Sequence, residues 1–114
     1  MKLLTTYTSL PQPIYISGPM TNYPNFNRDL FNHVASELRT QGCTVLNPAE
    51  IQGHDDWDWS DWMREAIKML LFAKSVVLLP EWNLSRGASL EYEIAFNLGL
   101  EIEKWESEEG GTKI

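Results

Sequence analysis

Ser75-Val76-Val77-Leu78-Leu79-Pro80, followed after a short loop by Ser85-Arg86-Gly87-Ala88-Ser89-Leu90-Glu91, is the stretch that decides the fold. The apolar run has the length and the branched side chains of a buried strand, and residues 88–99 repeat at helical spacing. A strand, a small-residue turn and a helix start leave first-turn amides unpaired at the strand's end, which is how a backbone holds an anion. Leu90, Ile94, Ala95 and Leu98 share one stripe of that helix, and Glu91 lies inside it. Glu93, about 200° further round at roughly 100° per residue, points the other way. Two readings fit such a carboxylate. It complements the helix dipole or meets a buried partner such as Arg86, or it carries chemistry.

Outward from this stretch, strands and helices alternate. Residues 1–12, ending in Leu10-Pro11-Gln12-Pro13, read as an arm or loop. Ile14-Tyr15-Ile16-Ser17 is a strand ended by Gly18-Pro19. Residues 25–41 form a helix with Asn25 or Asn27 to cap it, a stripe of Phe31, Val34, Ala35 and Leu38, and Gly42 to close it. Residues 43–46 are a second strand, stopped at Asn47-Pro48. After a polar loop, a third pattern starts near Asp58 with Asp61 as capping-box partner. Its expected buried face is Trp59, Trp62, Met63, Ala66, Ile67 and Leu70. A last strand falls near residues 100–102, and residues 105–114 read as a flexible acidic tail.

This rhythm predicts a single α/β domain over residues 1–114, built from right-handed βαβ units on a mostly parallel sheet. Ligands bind such sheets beyond the carboxyl ends of the strands, at the switch point in strand order. An order of 2-1-3-4 makes Ser17-Gly18-Pro19-Met20-Thr21 and the loop ending in Ser85-Arg86-Gly87 neighbours across that point.

Bulk properties narrow the function. The 114 residues allow one core. A net charge of −7 with no basic face disfavours duplex nucleic acid, while a small anion held by amides needs no net positive charge. The single Cys43 excludes an internal disulfide and reads as a buried strand thiol. No run of 18 apolar residues exists and Met1 to Leu4 is too short for a signal core, so no membrane segment and a cytoplasmic location are expected.

Taken together, Tyr15-Ile16-Ser17-Gly18-Pro19-Met20, Asn47-Pro48 and Ser85-x-Gly87-x-x-x-Glu91-x-x-x-Ala95 resemble the nucleoside 2-deoxyribosyltransferase superfamily, nearest its small branch common in phages and prophages. The resemblance covers residues 14–103. It implies a flavodoxin-like, Rossmann-like three-layer fold and cleavage or exchange of the N-glycosidic bond of deoxynucleosides or their 5′-monophosphates, with no cofactor. By position, Glu91 matches the family's nucleophilic glutamate and Tyr15 the tyrosine beside it. Gly18 and the amides after it, with Ser85 and Gly87, match the loops that hold a 5′-phosphate; Ser17, Pro19, Met20, Thr21 and Arg86 complete the expected substrate contacts. Burial raises a carboxyl's pKa, and the helix N-terminus is expected to oppose that and keep Glu91 ionised. One departure stands out. The family's acid on the helix before the third strand aligns with Ala66, leaving Glu65, Asp55, Asp56 and Asp58 as substitutes.

Other residues keep two readings. Arg86 clamps a phosphate or pairs with surface acids. Trp57, Trp59 and Trp62 are core or subunit interface more readily than a base-stacking platform. His33 reads as solvent-facing, and His54 as a candidate for proton transfer. Asp55 and Asp56 read as solvated loop acids, with no metal site. The resemblance, and five tryptophans in so small a chain, imply a homodimer or higher homo-oligomer. The alternative to an enzyme is a nucleotide-binding module that keeps the cradle without the chemistry.

Overall fold

A computed structural model of the chain describes residues 6–106. The elements alternate as β1 (Ile14–Ser17), α1 (Arg28–Thr40), β2 (Val45–Leu46), α2 (Trp59–Leu71), β3 (Ser75–Leu78), α3 (Arg86–Asn97) and β4 (Glu101–Lys104). The sheet is parallel throughout, in order 2-1-3-4. β1 lies beside β3, with Ile14 opposite Ser75 and Ser17 opposite Leu78. Since β1 leads outward to β2 on its other side, the switch point falls between β1 and β3.

Both central strands are buried on both faces, which is why their sequences run apolar without alternation. Ile14, Ile16, Val77 and Leu79 meet the α1 stripe of Phe31, Val34, Ala35 and Leu38. Tyr15, Val76 and Leu78 face the other way, onto Leu70 of α2, Ala73 and Ala95 of α3. The capping box that opens α2 is present: Asp58 accepts from the Asp61 amide, and Asp61 accepts from the Asp58 amide. Gly42 leaves α1 at φ +94°, a conformation only glycine adopts without strain.

Several expectations are corrected. Helix α1 begins at Arg28, because residues Pro24–Asn27 form a 3-10 turn in which Asn25, Phe26 and Asn27 have positive φ. Asn27 precedes the helix without capping it; its amide donates instead to the Pro19 carbonyl at 2.9 Å. On α2 only Ala66 and Leu70 are buried, while Trp59, Trp62 and Met63 are half-buried. Leu90 on α3 and Leu98 just past its end are 40% and 58% exposed, and the buried line is Ala88, Glu91 and Ala95. Small residues on that line let the helix approach the sheet closely, which turns the larger leucines outward. Residues 6–13 hold no helix or strand, as expected of an arm, yet Tyr7 and Leu10 within it join the α1-side core. Nor does the fold end at β4. The Trp105 amide donates to the Leu78 carbonyl, and its ring stacks on Tyr7 at 5.3 Å. The rest of the expected tail, 107–114, lies outside the described residues.

Candidate functional site

β1 places Tyr15 and Ser17 on the same side of the sheet, two residues apart, under the second turn of α3. There the Tyr15 hydroxyl donates to Glu91 Oε2 and the Ser17 hydroxyl to Oε1, each at 2.6 Å. Glu91 is 5% exposed, and the remainder of its surface faces a cleft of about 1010 Å³ beyond the ends of β1 and β3. Burial pushes its carboxyl up to about 7, against the opposing pull of the Ser17 and Tyr15 hydrogen bonds. Burial, and then the charge of Glu91, raise the Tyr15 hydroxyl well above its ordinary value, so it remains a donor.

Neither form of the structural reading of Glu91, dipole complement or partner of Arg86, fits this geometry. Because α3 starts at Arg86, Glu91 stands on the second turn, where the dipole has faded; burial wins over any N-terminal stabilisation. Nor is Arg86 its partner. The Arg86 guanidinium lies over the Trp59 ring, 3.6 Å from the centroid.

The two loops expected to form a cradle do converge. Gly18, Pro19, Met20 and Thr21 line the cleft from one side; Ser85, Arg86 and Gly87 line it from the other. Gly18 must be glycine: a Cβ there would stand 2.7 Å from Leu79 Cβ. Gly87 sits against Met63, whose sulfur a Cβ would meet at 2.9 Å. The Ser85 hydroxyl is committed to the Ala88 amide at 3.1 Å as the cap of α3, so Ser85 offers its backbone to a ligand. Ser17 is corrected. It is fully buried beneath Glu91 and does not line the cleft, which makes it a positioning residue and removes it from the expected ligand contacts.

Sequence reasoning missed Tyr23, Glu81 and Arg28. The Tyr23 hydroxyl donates to Glu81, tying the loop after β1 to the loop after β3. Glu81 has φ +66°, a strained value for a non-glycine residue. Arg28, at the start of α1, also lines the cleft, its guanidinium 5.1 Å from the Phe26 ring centroid, and brings a second cation to it. The Asn-rich run at residues 22–27 was the available signal, since asparagine tolerates the left-handed turns that bring Arg28 round. The tryptophans Trp57, Trp59 and Trp62 all line the cleft, Trp57 and Trp62 packed edge to face at 4.8 Å. Among the described residues, no group of three His, Cys, Asp or Glu side chains is placed to hold a metal, and no helix is long and apolar enough to cross a membrane.

Residues 12–104 match the family described as a domain of unknown function, DUF4406. The chain belongs to that family. No curated protein matches it. The DUF4406 match runs from just before β1 to the last residue of β4, so every strand, all three helices and both cradle loops fall within it. Tyr7 and Trp105, which close the α1-side layer, stand just outside the matched span.

Proposed function

We propose that this DUF4406 chain binds a nucleoside or nucleoside 5′-monophosphate and breaks or exchanges its N-glycosidic bond, with Glu91 acting at C1′ of the sugar. The observation that carries the reading is Glu91 itself. A carboxyl kept only for packing is expected to meet a cation, whereas this one is held by two hydroxyl donors and opens onto a cleft. A carboxylate so placed stabilises an oxocarbenium-like centre or traps it as a covalent glycosyl intermediate. Tyr15 and Ser17 fix its orientation. The 5′-phosphate lies between residues 18–21 and 85–87, on the amides at the N-terminus of α3, with Arg28 and Arg86 nearby. The resemblance of the β1, Asn47-Pro48 and α3 motifs to nucleoside 2-deoxyribosyltransferases supports the same reading. The test is incubation with a panel of nucleosides and 5′-monophosphates followed by chromatography for free base. Base release abolished in Glu91→Gln supports the reading; release undiminished in that variant refutes it.

A second reading has one observation in its favour. Ala66 faces the cleft where an acid would assist the departing base, so the same cradle could serve binding alone. Calorimetry that finds nucleotide binding with no base release from any substrate would favour this module.

A further inference from the structure

The N-glycosidic reading above leaves the base open, and the cleft wall narrows it. With C1′ at Glu91 and the phosphate at the start of α3, the base falls against α2 and the loop before it. From α2, Trp59, Trp62, Met63 and Ala66 line the cleft, and none of these side chains is a proton donor of useful acidity. Asp58, at the mouth, spends its carboxylate on the Asp61 amide. Glu65 does not line the cleft and pairs with Lys68 at 2.9 Å. Asp56 is also absent from the lining. His54 and Asp55 also line the cleft, but both are open to solvent and His54 stands edge-on to Trp57, so neither is buried against a base.

A neutral base departs as an anion unless a proton reaches it while the C1′–N bond breaks, and a positioned acid is worth about 10²–10⁴-fold. A base that is quaternary in the glycoside carries a positive charge and departs neutral. We propose that the substrate is an N-glycoside of a cationic heterocycle, a pyridinium such as nicotinamide or an N-alkylated purine such as 7-methylguanine, released at Glu91 with no proton donor to the base.

The wall suits such a group. Indole faces attract cations, as the Arg86 guanidinium 3.6 Å over the Trp59 ring shows, and Trp57 and Trp62 line the cleft beside it. Asp55 and Asp58 add negative charge at the rim. A cation seated beside Glu91 also favours the ionised carboxylate that burial disfavours. In the step itself, a Glu91 oxygen bonds to C1′ and the C1′–N pair moves onto the ring nitrogen, cancelling its charge. Water then adds at C1′, the bond to Glu91 breaks, and the water's proton passes to solvent.

The experiment uses the whole chain and two groups of probes. Nicotinamide mononucleotide and 7-methylguanosine 5′-monophosphate carry cationic bases; guanosine and inosine 5′-monophosphates, in ribose and deoxyribose forms, carry neutral ones. Base release is followed by chromatography and corrected for spontaneous hydrolysis, with Glu91→Gln beside the unaltered protein. The expected result is a kcat/KM at least ~10²-fold higher for a cationic base, matching the absent acid, and loss of release in Glu91→Gln. Neutral bases released as fast as cationic ones, with release lost in Glu91→Gln, would overturn this inference and leave the N-glycosidic reading standing. Release of no base from any probe would overturn both.

Discussion

Replacing Glu91 with glutamine should free the protein from a loss of stability as the solution turns alkaline. The folded carboxyl has been pushed from 4.5 up to about 7 by burial, so between those values the native state holds a proton that the unfolded chain releases. Stability therefore falls with rising pH across that window, being full below 4.5 and lost as pH passes through about 7. At 1.36 kcal/mol per unit, the part of that loss falling between pH 5 and pH 8 is about 2–3 kcal/mol. Glutamine has nearly the same shape, keeps an oxygen for the Tyr15 hydroxyl and presents an amide to Ser17 Oγ, yet cannot ionise. Urea denaturation of both proteins at pH 5 and pH 8 isolates the effect, because every other titrating group cancels in the difference. The stability of Glu91→Gln relative to the unaltered protein should rise by about 2–3 kcal/mol between the two pH values. A difference that stays constant would mean that Glu91 is not a buried titrating acid, and the chemistry built on it would lose its foundation.

Removing the Tyr15 hydroxyl in Tyr15→Phe takes away one of the two hydrogen bonds that lower the Glu91 carboxyl; the acidic limb of the pH profile for base release should move to higher pH, and an unmoved limb would show the contact to be idle. Ala66→Asp, by supplying an acid to the base-facing wall, should raise release of neutral bases by up to ~10²–10⁴-fold, measured by the same chromatography. Gly18→Ala would set a Cβ 2.7 Å from Leu79 Cβ and should cost about 1–3 kcal/mol by overpacking, read as a lowered thermal midpoint. Leu71, Phe72, Leu84, Phe96 and Leu98 are exposed, and light scattering at micromolar concentration should give at least twice the 13.1 kDa chain mass; the single-chain mass would refute self-association.

The sheet was readable because its two central strands carry short, unbroken apolar runs and its connections have helical spacing. The Asp58 and Asp61 box was readable for a similar reason, since both partners lie within one turn. What escaped depends on distance or on close approach. Tyr7 and Leu10 sit in a segment with no period, and their burial comes from Trp105 and the sheet. The rotation of α3 follows from Ala88 and Ala95 fitting against β1 and β3, which a pattern of hydrophobicity scores as weaker than Leu90 and Leu98. Glu91 was found because it interrupted a stripe, although its second-turn position and its raised proton affinity were not. The Tyr23–Glu81 contact joins two loops whose sequences give no hint of each other.

The clasp at Tyr7 carries a consequence for synthesis. Its hydroxyl donates to the Lys104 carbonyl and accepts from the Glu106 amide, across 97 and 99 residues of chain, and its ring stacks on Trp105. A nascent chain leaves the ribosome amino end first, so Tyr7 emerges 97 residues ahead of Lys104 and waits for that length of chain before its partners exist. The β1–α1–β2 unit can collapse in the meantime, while the layer over β3 and β4 closes only after residue 106 is free of the exit tunnel. Pairings of such span are slow and leave apolar surface open while they form. Synthesis of residues 104–106 thus becomes the event that completes this layer, and a stall just short of Trp105 would leave Tyr7 and Leu10 uncovered for as long as it lasted.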